Sequence, residues 1–450
     1  MKVDVLIVGG GPAGLARAFW LQRSAPSLKV LVVEAEARSG GYCWTRRFDG
    51  YSCEIGPQAF RPDEESDALI AALGMEDRVV PAAEGARLRW VAKDGRLQAL
   101  PNGPGGLVRT ALLSPLAKFR LLAEPFCSRG EDPEETLADF VGRRFGRQAI
   151  PLAEAMASGV YGGDAHSIEM ASAFPTLAHW ERKHGSLLKG ARAARRSKDG
   201  KTRPALCTFR DGIEELIAAL GRELADQIQV GSCVESITRD GSGWAVRLAG
   251  ESSATIEADE LVLAIPARSA AGLLQPVDSI LASDLAGIDF ASIANVYLGF
   301  EAEVGEQFPG FGFLLTAAEK SPVLGAIYCS SIFPGCAPAE RFLVRVMAGG
   351  ARFGDYLDRD DEEISDEAQR ALQRYAGVTA SPCFQRVVKL PRAIPQYTRG
   401  HRKRMERIGS RLSQLPGLIL AGNSYEQVSL VGQLGRPEMT AGELKARPHP

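Results

Sequence analysis

Six residues near the start of the chain carry the clearest chemistry. Gly9-Gly10-Gly11-Pro12-Ala13-Gly14 has the spacing G-x-G-x-x-G, and Glu34 follows twenty residues after Gly14. Gly9 permits a tight turn, Gly11 lets backbone approach a pyrophosphate, and Gly14 lets a helix pack closely on a strand. Phosphates would sit at the positive end of the helix that Pro12 opens. Glu34, with Ala35 beside it, stands where a carboxylate can accept from both ribose hydroxyls of a dinucleotide. Arg38, Gly40 and Gly41 come next at short spacing, a second glycine turn with a cation that can meet the pyrophosphate from the other side.

That reading needs particular elements. Residues 3–8 are almost wholly apolar, as in a strand buried on both faces of a parallel sheet. A helix over 12–23 and a second strand over 28–34 complete a βαβ unit. Residues 85–205 have a helical texture broken by Pro and Gly. Short strands return over 226–266, residues 285–400 are β-rich with an acidic helix near 360–375, and a strand over 417–421 ends at Gly422. The expected division is a dinucleotide domain in three pieces (1–80, 205–266, 401–450), a helical region over 81–204 and a substrate domain over 267–400.

Composition narrows the class. Of 450 residues 45% are hydrophobic and 24% charged, ordinary for a soluble globular chain, and the net charge of −2 gives no pull toward nucleic acid. The eight cysteines form no C-x-x-C pair, which argues against a zinc site and fits a reducing compartment. No run reaches the roughly 18 apolar residues of a spanning helix, and the N-terminal strand leads into a glycine loop rather than a cleavage site. A cytoplasmic protein is expected, touching a membrane only from its surface. The five histidines are scattered, and neither a catalytic dyad nor a metal cluster stands out.

The segment Arg38-Ser39-Gly40-Gly41 resembles the R-x-G-G stretch of the amine oxidase and phytoene desaturase group of FAD enzymes. No second glycine fingerprint follows a strand elsewhere, so electrons are expected to leave to oxygen or another diffusible acceptor rather than to an NAD(P)H domain. Glu54-Ile55-Gly56-Pro57-Gln58-Ala59-Phe60 resembles the E-x-G-P-x-x-F signature of the oxygen-dependent protoporphyrinogen oxidase family. Further matches run in the family's order: RWVAKDGRLQALP around Arg89, Gly159-Val160-Tyr161-Gly162-Gly163-Asp164, Ala173-Phe174-Pro175, Thr208 to Gly212, Gly310 to Leu314, and Ile394-Pro395-Gln396-Tyr397 with Gly400-His401.

The resemblance implies a Rossmann-type, p-hydroxybenzoate-hydroxylase-like FAD domain of α/β class, a β-rich substrate domain, and a helical insertion that contacts membrane. It implies six-electron oxidation of protoporphyrinogen IX in three two-electron steps, with hydride leaving a methylene bridge for flavin N5 and oxygen becoming peroxide. Gly56 and Pro57 would run beside the flavin, and Val234, Gly422, Asn423 and Val428 would complete the cofactor set. For the substrate it points to Arg89 on a propionate, Gln58 near the mouth, Gly159 and Gly162 bordering the macrocycle, and Leu314 and Tyr328 near the rings. A homodimer and a ferrochelatase-type partner are expectations of the family and its pathway alone.

Residues 105–126 are Leu- and Phe-rich with Arg109, Lys118 and Arg120 between them, split by Pro115. The segment can lie as an amphipathic pair on the inner face of the cell membrane or pack on its own domain, and the basic stretch 182–203 can add attraction for anionic lipid. At the other end Gly422-Asn423-Ser424-Tyr425 matches the family, but Gln427 and Ser429 replace expected glycines, Gly432-Gln433 replaces Asp-Cys, and Pro437 interrupts the expected closing helix. Three other readings stay open: coproporphyrinogen III, whose four propionates Arg89 and Arg61 would serve; another flavin oxidase or desaturase acting on a lipophilic substrate; and a flavoprotein without turnover.

Overall fold

The computed structural model describes residues 1–101, 105–106, 109–197, 205–241, 243–250 and 254–436. Strand β1 (Lys2–Val8), helix α1 (Pro12–Ser24) and strand β2 (Val30–Val33) form the expected βαβ unit, with β1 and β2 parallel. On its other edge β1 pairs in parallel with Thr255–Leu263, from Lys2 opposite Glu257 to Val8 opposite Leu263. Thr255–Leu263 also takes Leu418–Leu420 in parallel, so the two ends of the chain meet in one sheet. Val5, Leu6 and Ile7 are fully buried because both faces of this sheet are covered. Leu15, Ala16 and Phe19 of α1 pack on one face with the helix Glu214–Glu223, and the helices Ala267–Leu274 and Ser279–Ala286 cover the other.

A second sheet runs Phe384–Pro395, Phe290–Glu301, Arg341–Gly349, Val323–Ile327, Gly312–Leu315, Trp90–Lys93, Arg96–Ala99. Its last two strands lie in the RWVAKDGRLQALP segment around Arg89, within a stretch of otherwise helical texture. Asp94 and Gly95, both with positive φ, make the tight turn of a two-residue hairpin. Alternation sorts the faces: Val296, Leu298, Val344 and Val346 pack beneath the helix Asp361–Ala371, while Asn295, Tyr297 and Arg345 point toward the first sheet.

Helices Leu137–Phe145, Ile150–Tyr161, Pro175–His184 and Leu187–Ser197 gather around a fully buried ion pair, Arg144 with Glu124. Arg144 also reaches Glu181 and the Gly185 carbonyl, and Glu124 accepts from the Ser186 hydroxyl and the Leu187 N–H. Burial alone would raise the Glu124 carboxyl, but these donors hold it below its ordinary value. The rest of the basic stretch, from 198, lies outside the described residues, as does Pro437.

Candidate cofactor site

The glycine loop leaves β1 at Val8 with Gly9 at φ +107°, where an added Cβ would lie 2.4 Å from the Ala264 carbonyl oxygen. At Gly14 a Cβ would meet the Gly9 oxygen at 2.0 Å, so this glycine closes α1 onto the loop. Gly11 differs: a Cβ there would meet nothing within 4 Å. Gly11 caps α1 with no side-chain acceptor and Pro12 opens the first turn, leaving the helix end directed into open space. Ala13 is buried behind it.

Glu34 stands at the end of β2. One carboxylate oxygen accepts from Gly10 N–H at 2.7 Å and the other from Glu36 N–H at 2.9 Å, and each keeps lone-pair capacity for a ribose hydroxyl. Its backbone is held by Gln229 and Ser232, which brings Val234, two residues on, to the same flank; Ala35 is exposed beside it. The second glycine turn locks to the first through Gly40 N–H to the Gly10 carbonyl at 2.6 Å, and Gly41, at φ +53°, has its open side toward Gly11. Arg38 donates to the Ser39 and Gly41 carbonyls while its guanidinium lies 4.0 Å from the centre of the Trp44 ring. Burial lowers its pKa, and nearby carboxylates, Glu214 foremost, oppose that.

Gly56 continues the line: a Cβ on it would lie 2.4 Å from the Tyr42 carbonyl oxygen, so the segment around Gly56 and Pro57 presses on the turn that follows Gly41. At the C-terminal end Gly422, at φ +107°, comes within 3.7 Å of the Ala13 side chain when given a Cβ. Its N–H is taken by Glu426, which pairs with Arg17 of α1, and the Asn423 carbonyl accepts from the Tyr397 hydroxyl. Val428 packs against the helical cluster that includes Tyr161 and Tyr397. Beyond it, among the described residues, there is one short turn, Val431–Gln433, and no closing helix. Gln427 lies against Gly432, and the tail returns to α1, where Trp20 bonds the Leu434 carbonyl.

The substrate-side residues scatter more. Gly159 is brought against Leu314, 2.8 Å from a built Cβ, and Gly162 closes its helix in the left-handed region against Ile293. Arg89 is exposed, with its guanidinium 4.8 Å from the Phe311 ring centre. Gln58 is buried and accepts from the Cys329 thiol. Tyr328 is fully buried between Phe308 and Phe313. Phe313 and Leu314 are adjacent in one strand and face opposite ways, so Tyr328, packed with Phe313, and Leu314 lie on opposite faces of the sheet.

The family described as flavin containing amine oxidoreductase matches residues 12–431. The chain belongs to that family. Among curated relatives of this flavin oxidoreductase, protoporphyrinogen oxidase of Bos taurus is 33% identical over 96% of each chain. Coproporphyrinogen III oxidase of Bacillus subtilis (strain 168) is 28% identical over 95% of each. A solved structure from Exiguobacterium sp. 255-15, provisionally named a protoporphyrinogen oxidase, superposes with a TM-score of 0.81 at 25% identity over 96% of each chain. Cyclohexylamine oxidase from Brevibacterium oxydans IH-35A, at 17% identity and TM-score 0.74, shares the fold.

The cofactor is FAD, and the geometry fits it. The open approach at Gly11 and Gly41, the uncapped start of α1 and the half-buried Glu34 carboxylate are what a pyrophosphate and a ribose require. Sequence reasoning passed over Asn295, Tyr297 and Arg345, whose side chains bond the backbone carbonyls of 54–56. The one available signal was Arg345 itself, a charge inside the apolar run Phe342-Leu343-Val344-Arg345-Val346-Met347.

Proposed function

We propose that this FAD-dependent oxidoreductase converts protoporphyrinogen IX to protoporphyrin IX. The observation that carries the reading is 33% identity to protoporphyrinogen oxidases of Bos taurus and of Homo sapiens over 96% of both chains. FAD when bound supplies a two-electron acceptor. Three turns remove six electrons and six protons from the macrocycle, and three molecules of oxygen take them up as three of peroxide. Aromatisation provides driving force, so the protein's work is to place the macrocycle against the flavin and to keep water out.

In this reading Glu34 holds the ribose, Gly11, Arg38 and Gly41 surround the pyrophosphate, and Gly56 and Pro57 run along the flavin. Val234 borders the nucleotide, and Gly422, Asn423 and Val428 close the cofactor from the far side. Arg89 receives a propionate, with Gly159 and Gly162 bordering the macrocycle, Leu314 and Tyr328 near its rings and Gln58 near the mouth. A second copy of the chain and a ferrochelatase-type enzyme are the partners that the family and its pathway suggest. Coproporphyrinogen III is the second reading, favoured by the Bacillus subtilis relative.

The helix Pro115–Leu122 supports delivery from a bilayer. Leu116, Phe119 and Leu122 are 77%, 69% and 64% exposed along one face, and Phe126 follows at 91%. Among the described residues no helix is long and apolar enough to cross a membrane. We therefore place this ridge in the interface of a membrane surface. The test of the redox reading is anaerobic mixing. Protoporphyrinogen IX should bleach the yellow of the bound flavin and admitted oxygen should restore it; no bleaching would refute the substrate, and no return of colour would refute the acceptor.

A further inference from the structure

Arg345 sits where packing alone would place an apolar residue. It lies in the middle of Arg341–Gly349, is 4% exposed, and makes no ion pair among the described residues. Its Nε has no hydrogen-bond partner, and one Nη meets only the Met347 sulfur at 3.8 Å. Burying a guanidinium on such terms costs more than burying a Met or Leu of similar length.

Sheet register explains what the charge touches. Arg345 is opposite Tyr297, and Met347 is opposite Asn295, so all four leave the same face. From that face Arg345 donates to the Glu54 carbonyl at 2.8 Å and the Gly56 carbonyl at 2.9 Å. The Tyr297 hydroxyl donates to the Glu54 carbonyl at 2.5 Å, and Asn295 donates to the Ile55 carbonyl at 2.9 Å. Three successive carbonyls are thus held by two strands of the second sheet. The other side of the segment belongs to the first sheet's domain: the Glu54 carboxyl accepts from Thr45 and from Ile213 N–H, and Gly56 presses on Tyr42.

We propose that Arg345, with Tyr297 and Asn295, forms a clamp that sets the height of the 54–56 backbone at the flavin half of the FAD site. Arg345 is a positioning residue, acting through carbonyls and not on the reacting atoms. The proposal rests on the flavin lying along Gly56 and Pro57, as read above. The bonds of these three side chains go to the 54–56 carbonyls, while Glu34 in the nucleotide half makes its own contacts. The clamp therefore acts on FAD and not on ADP.

The experiment compares FAD and ADP binding to the apoprotein by calorimetric titration, for wild type, Arg345→Met, Arg345→Lys and Tyr297→Phe. Arg345→Met should weaken FAD by about tenfold or more, leave ADP within about twofold, and shift the absorption bands of whatever flavin it binds. Arg345→Lys should recover part of the loss. Tyr297→Phe, which removes one hydroxyl, should show a smaller loss of the same kind and decides the matter if Arg345→Met does not fold. Wild-type FAD affinity and spectrum in both Arg345→Met and Tyr297→Phe would overturn the clamp, and so would equal losses of FAD and ADP. Flavin placed elsewhere would show differently: Arg345→Met would then lower the melting temperature of the apoprotein while FAD affinity and spectrum stayed at wild-type values.

Discussion

Glu54 serves two neighbours at once, its carbonyl bound by Tyr297 and Arg345 of the second sheet and its carboxyl by Thr45 and the Ile213 N–H. Burial pushes that carboxyl up to about 7, against the pull of the Ile213 N–H and the Thr45 hydroxyl. A carboxyl whose folded pKa is raised adds stability below its unfolded value of about 4.3, and loses it as pH climbs through the folded value. Between about pH 5 and about pH 8 this residue alone should therefore cost on the order of 2 kcal/mol of stability, opposed by the buried His401, whose lowered pKa adds stability as pH rises. Glu54→Gln should flatten that part of the slope in calorimetry; an unchanged slope would assign it to other groups. At the substrate side, Arg89→Ala should raise the KM for a porphyrinogen about tenfold with kcat little altered, as loss of a charge-assisted contact of ~1.5 kcal/mol predicts. An unchanged KM would remove Arg89 from the site. Gly9, Gly14 and Glu34 were legible in the sequence because their function lies in local spacing. Arg345 and Tyr297 were not, because they act across a sheet whose register only the fold displays.

At the scale of elements, the helix Pro115–Leu122 leaves an apolar ridge uncovered. Ser114 caps it, Ala117 and Leu121 pack inward, and the buried Glu124 anchors its end while Leu116, Phe119 and Leu122 face out. Binding to a bilayer would remove that apolar surface from water at about 25 cal/mol per Å². Phe119→Glu with Phe126→Glu should move the protein from the liposome fraction to the soluble fraction in flotation while leaving FAD content unchanged. Wild type that stays soluble would refute the membrane surface. The C-terminal element departs from the family at Gln427, whose side chain fills space beside Gly432. Gln427→Gly should tighten FAD several-fold in fluorescence titration; weaker retention would mean that the side chain supports the turn. The 90–99 hairpin falls in the RWVAKDGRLQALP segment, where Asp94-Gly95 is a strong turn signal within a stretch of otherwise helical texture. Its partner strand, Gly312–Leu315, is more than two hundred residues away, so only the fold reveals the sheet it joins.

For the whole molecule, the segment 54–56 is held from both sides, by Tyr297, Asn295 and Arg345 of the second sheet and by Thr45 and Ile213 opposite. The βαβ unit and a dinucleotide site followed from periodicity and glycine spacing, FAD from the resemblance at Arg38 to Gly41, and the family from motifs spread along the chain. The choice between porphyrinogens follows from neither, because it depends on how many propionates find cations once distant strands are assembled. The most direct test offers protoporphyrinogen IX and coproporphyrinogen III separately to the purified, FAD-loaded protein in air and follows porphyrin fluorescence. The account predicts protoporphyrin formation well above the autoxidation rate, and faster than coproporphyrin formation at equal substrate. Fluorescence no faster than autoxidation with either porphyrinogen would contradict it.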